Sequence, residues 1–168
     1  KEELEDEKKH LDELKEEAEA QKQTAEDVKN FKDENKDILD KTVEEVTQDD
    51  LDAINKALEA YENLSDRAKD ELSEWKKHLD ELKEEVEAQK QTAEEVKNFK
   101  DENKDILDKT VDDVTADDLD DINKALEDFD KLSDRAKDEL SEVKKHLDEL
   151  KEEAEAQKQT AEEVKNFK

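Results

Sequence analysis

The same 68-residue unit is written about two and a half times in succession, so any fold for this chain has to suit every copy. His10-Leu11-Asp12-Glu13-Leu14-Lys15-Glu16-Glu17 returns at His78 and again at His146, and Asn30-Phe31-Lys32 returns at Asn98 and Asn166. Residues 10–77 and 78–145 differ only at 18/86, 27/95, 44/112, 45/113, 48/116, 53/121, 60/128, 61/129, 62/130, 63/131 and 75/143. Repetition at this period marks an array, in which one supersecondary unit stacks or chains onto its copies. Catalysis needs one asymmetric site, whereas an array presents one surface at intervals. The chain is therefore expected not to be an enzyme.

The second constraint is the absence of Gly and Pro, which leaves nothing to break a helix or to supply positive φ for a tight turn. β-Branched and aromatic runs, the material of strands, are missing as well. With 52% charged residues and a net charge of -28, disorder competes with folding. The apolar residues are strongly periodic, however, and that decides for an all-α chain.

From Ser65-Asp66-Arg67-Ala68, an N-cap with an acidic first turn, apolar residues fall at Ala68, Leu72, Trp75, Leu79, Leu82 and Val86. Their 4-3-4-3-4 spacing is a heptad seam that faces a partner helix. The seam crosses the polar Gln89, resumes at Ala93, Val96 and Phe99, and passes Ile106 and Leu107. It fades into Thr110-Val111-Asp112-Asp113-Val114. Thr115-Ala116-Asp117-Asp118, like Thr47-Gln48-Asp49-Asp50, then caps a short helix carrying Leu119, Ile122, Leu126 and Phe129 on one face. Leu132 closes it, and Ala136, Leu140, Val143, Leu147 and Leu150 continue the seam in the next long helix. Each unit thus reads as one long helical stretch of about 45 residues followed by a short helix of about 16.

A single amphipathic helix cannot bury its stripe alone. The economical solution is a set of tandem antiparallel three-helix bundles joined by long shared helices, a spectrin-like elongated rod. Residues 24–88 and 92–156 form the two bundles. Residues 1–23 are the terminal half-helix of a preceding bundle, and 157–168 begin a following repeat. Gln89 suits a solvent-exposed linker helix, and although Thr92-Ala93-Glu94-Glu95 spells a capping box, a continuous helix is expected there. Glu7 stands where Trp75 and Val143 fill the seam, which is tolerable where no complete bundle surrounds it. The chain begins with Lys1, contains no Met, and starts and stops inside a repeat, so it is expected to be a segment of a longer array.

No catalytic, cofactor-binding or metal site is expected. His10, His78 and His146 are the only histidines, each beside a seam Leu. Glu7-Lys8-Lys9-His10 has the E-x-x-H spacing of di-metal bundles, but the matching acid is Trp75 or Val143 in the other copies. Asp-rich Thr115-Ala116-Asp117-Asp118-Leu119-Asp120-Asp121 lacks the Gly of an EF-hand loop and reads as capping. Without Gly there is no phosphate cradle, and without Cys there is no disulfide or thiolate site. Tyr61, Trp75 and Phe129 read as core fillers. Strong acidity disfavours nucleic acid and anionic membrane surfaces as partners, and no stretch is apolar enough for membrane insertion.

Ala57-Leu58-Glu59-Ala60-Tyr61-Glu62-Asn63-Leu64-Ser65, followed by an amphipathic helix, resembles the tandem helical-bundle repeats of Gram-positive bacterial cell-wall-anchored surface proteins. The likeness covers about half of each unit, and the second copy departs from it at Asp128 and Phe129. The resemblance implies an extracellular, cell-surface stalk or spacer in an adhesin. It also implies a monomeric rod whose partners are neighbouring repeats in the same chain, with a host protein as a possible ligand. Two other expectations stand beside this one: a repeated binding module for a host protein, and an intracellular coiled-coil scaffold in which residues 68–86 pair between chains.

Overall fold

The computed structural model describes residues 2–167, and every regular element among them is helical. The chain divides into two compact units, Lys1–Gln89 and Lys90–Lys168. In the first, α1 (Glu2–Glu34) and α2 (Lys36–Leu39) lead through a loop to a short 3-10 turn, Gln48–Asp50. Then come α3 (Leu51–Glu62), α4 (Asp66–Glu71) and the first part of α5 (Ser73–Glu102). The second unit repeats the order with the rest of α5, α6 (Lys104–Leu107), a 3-10 turn at Ala116–Asp118, α7 (Leu119–Asp130), α8 (Asp134–Glu139) and α9 (Ser141–Asn166). Lys1 and Lys168, which end the two half-helix ranges inferred from the sequence, lie outside the described residues.

The caps expected from the sequence form. The Ser65 hydroxyl accepts from the Ala68 N–H and that of Ser133 from the Ala136 N–H, both at 3.3 Å. Each unit gathers one apolar cluster. In the first, Phe31, Ile54, Leu72, Leu79, Leu82 and Val86 are buried together, and in the second Phe99, Ile122, Leu140, Leu147 and Leu150. The aromatic pair closing each cluster meets edge to face, Phe31 with Tyr61 at 6.3 Å and Phe99 with Phe129 at 6.1 Å between centroids. Trp75 and Val143 lie at the rim, half-buried, rather than in the centre. Lys32 sits 5.4 Å above the Trp75 ring.

Several expectations need correction. The long helix is interrupted at Leu72 and Asn103, so its three parts are α4, α5 and α6. At Leu72 the N–H is shared between Ala68 O and Lys69 O, and the backbone takes φ -101°, ψ 9°. At Asn103 the side-chain amide donates to Phe99 O at 2.9 Å, competing with the backbone N–H for the same carbonyl. Ala93 is exposed, and Thr92 one residue earlier is buried, so the buried stripe lies about 100° round the helix from the expected position there. Val111 is also exposed, because it sits on the outside of the turn while Val114 turns in. Alanines at 57, 125 and 154 are wholly buried although the apolar seam omitted them. A small side chain lets α7 and α9 approach closely where a larger one would hold them apart. Helix α5 runs without a break through Gln89 and Thr92.

Candidate functional site

The feature built most carefully, and built twice, is the loop between the end of one long helical stretch and the short helix. In the first unit Lys41 leaves α2 and folds back, placing Nζ 2.8 Å from both carboxylate oxygens of Asp50. That carboxylate also accepts from the Thr47 N–H at 2.9 Å and the Thr47 hydroxyl at 3.1 Å. Four hydrogen bonds from three donor groups thus converge on a side chain only 17% exposed. The Lys41 ammonium, helped by the Thr47 N–H, holds the Asp50 carboxyl below its usual range.

Two side chains from α5 secure the loop from the opposite side. His78 Nε2 donates to Lys41 O at 2.9 Å, which fixes the ring tautomer. Gln89 Nε2 donates to Val46 O at 3.0 Å and to Glu85 Oε1 at 2.9 Å. The exposed linker role expected for Gln89 is therefore wrong: it is half-buried, with its amide committed to the loop. Its position in the seam is polar because it meets a backbone carbonyl where its neighbours meet side chains.

The second unit reproduces every contact. Lys109 Nζ lies 2.8 Å from both oxygens of Asp118, which accepts from Thr115 N–H and hydroxyl at 2.8 and 3.0 Å. Lys109 and Thr115 depress the Asp118 carboxyl in the same way. His146 Nε2 reaches Lys109 O at 2.9 Å, and Gln157 Nε2 reaches Val114 O at 3.0 Å. His10 is exposed.

The sequence indicated the Thr-x-x-Asp caps but not Lys41, Lys109, Gln89 or Gln157. Their signal was invariance between copies at polar positions, and it could not name partners 37 or 43 residues away. Other polar contacts lie nearer the surface. Arg67 pairs with Glu17 at 2.7 Å, and Glu95 accepts from the Ser133 N–H at 3.0 Å. Arg67 first, then Gln21, keeps the Glu17 carboxyl low, and Ser133 does the same for Glu95.

Among the described residues no three His, Cys, Asp or Glu side chains converge to hold a metal, and no helix is long and apolar enough to cross a membrane. The chemistry of the clamped loop is hydrogen bonding that fixes chain direction. Comparison with protein-family models, with curated proteins and with solved structures finds no match to this chain.

Proposed function

We propose that the chain is a structural repeat region forming an elongated helical stalk or spacer of a bacterial surface adhesin. In this reading residues 24–88 and 92–156 are antiparallel three-helix bundles sharing long helices, and each clamped loop sets the return of the short helix. The chain is a monomeric, cell-wall-anchored, extracellular rod, and its partners are neighbouring repeats in the same chain.

One observation carries the reading. Leu11 and Leu14 are 64% and 53% exposed, while their repeat equivalents Leu79, Leu82, Leu147 and Leu150 are all at 0%. Towards the other end Val164 and Phe167 are 53% and 92% exposed, while Phe31 and Phe99 are at 3%. The same seam residues are thus buried where a short helix of the same unit covers them and exposed where none does, which supports a reading in which like units cover one another's seams. A chain lengthened by one repeat should extend by ~40–50 Å, the long helix forward less the short helix back. Small-angle scattering tests this, and a maximum dimension that does not grow with repeat number sinks the proposal.

A repeated host-protein module would need equal exposed patches on each unit, and the rim differs at Trp75 and Val143. A coiled-coil scaffold would need Leu79, Leu82 and Val86 free for another chain, whereas they are buried within the first unit.

A further inference from the structure

The two units differ at one place in a way that leaves an opening. In the second unit a groove of about 520 Å³ is lined by residues that include Lys100, Asp101, Leu107, Glu142, Val143 and His146. The equivalent residues of the first unit are Lys32, Leu39, Trp75 and His78, with Asp33 and Glu74. There the groove is smaller, about 390 Å³, and neither Lys32 nor Asp33 lines it. Lys32 instead lies 5.4 Å above the indole of Trp75, which packs against the core cluster. Leu39, beneath it, is 6% exposed, while Leu107 is only partly buried. The Trp-to-Val exchange thus removes an indole while Leu107 and Lys100, the equivalents of Leu39 and of the Lys32 that covers the Trp75 ring, line the groove that remains.

We propose that this groove binds a tryptophan side chain of a partner protein, flanked in the partner by basic residues. The first unit supplies the ring chemistry, because an indole already occupies the equivalent place. Charge supplies the flanks. The chain carries a net -28, and the groove lining holds three carboxylates, Asp101, Asp108 and Glu142, against two lysines, Lys100 and Lys104, so a cationic segment is drawn to it.

The probe is the blocked tripeptide Lys-Trp-Lys, with Lys-Ala-Lys as the control for charge alone, titrated into the full chain and followed by NMR. The expected result is saturable shifts of the Val143 methyl groups and the His146 ring, with Lys-Ala-Lys at least about tenfold weaker. V143W should abolish the shifts at His146 while retaining the helical signal, since Trp is native at the equivalent position. W75V should open a second site, read at His78. Equal shifts from both tripeptides, binding that survives V143W, or no second site in W75V would each overturn the proposal.

Discussion

The repeat provides an internal control that few proteins offer: one octapeptide, His-Leu-Asp-Glu-Leu-Lys-Glu-Glu, sits in helix with its first leucine at 64% exposure as Leu11 and at 0% as Leu79. Replacing either leucine by alanine changes the same local sequence, so helix propensity, about 0.2 kcal/mol in favour of Ala, cancels in the comparison. What remains is tertiary. At Leu79 the loss is transfer of the deleted carbons plus the cavity they leave, about 3 kcal/mol for a fully buried leucine. At Leu11 neither contribution exists, and the change should stay within about 0.5 kcal/mol. Trp75 is the chain's only tryptophan and packs against the first unit's cluster, so its fluorescence reports that unit. With a urea slope of ~1 kcal/mol/M for a unit of this size, Leu79→Ala should lower the midpoint by ~3 M and Leu11→Ala by almost nothing. Equal shifts in the two variants would mean that the first half of α1 is covered as fully as the first half of α5, and would refute the assignment of the two faces.

Other outcomes follow from the clamped loops and the core. His78→Ala removes the donor to Lys41 O and should cost about 1 kcal/mol, with faster amide exchange confined to the loop before α3, both measurable by NMR-detected exchange. Asp50 and Asp118 have folded-state values depressed below their unfolded ones, so their contribution is present above the unfolded value and is lost as pH falls through the folded one. Urea unfolding between pH 6 and 2 should therefore show the stability gap between the parent and D50N/D118N closing below about pH 4. A gap constant across that range would rule out this linkage. Tyr61→Phe loses the hydroxyl bond to Lys69 O at 3.0 Å. That carbonyl still accepts from Leu72 N–H, so the cost should be at the low end, about 0.5 kcal/mol by thermal unfolding. Ala125→Leu inserts a side chain where α7 packs on α9 and should destabilise by about 1–3 kcal/mol in the same assay.

Much of the fold is legible in the sequence. Without Gly or Pro, and with apolar residues three and four apart, the backbone had one regular option. The polar caps at Thr47, Ser65, Thr115 and Ser133 act within three residues, so sequence spacing alone located them. The interruption at Asn103 was less visible, because an Asn mid-helix breaks the ladder only when its amide turns back to the carbonyl four residues earlier. Thr92 and Ala93 both lie near the stripe, and a heptad written over some thirty residues does not distinguish them.

Sequence by itself determined that the chain is helical, where its short helices begin, and that its units must be alike. Tertiary structure alone decided which of three identical leucine pairs are buried, that Gln89 and His78 serve the loop carbonyls, and that one exchange from Trp to Val opens a groove. The physical reason is range. Backbone conformation and capping depend on neighbours within a turn. Burial depends on partner segments many turns away in sequence, and identical octapeptides carry no record of whether those partners are there.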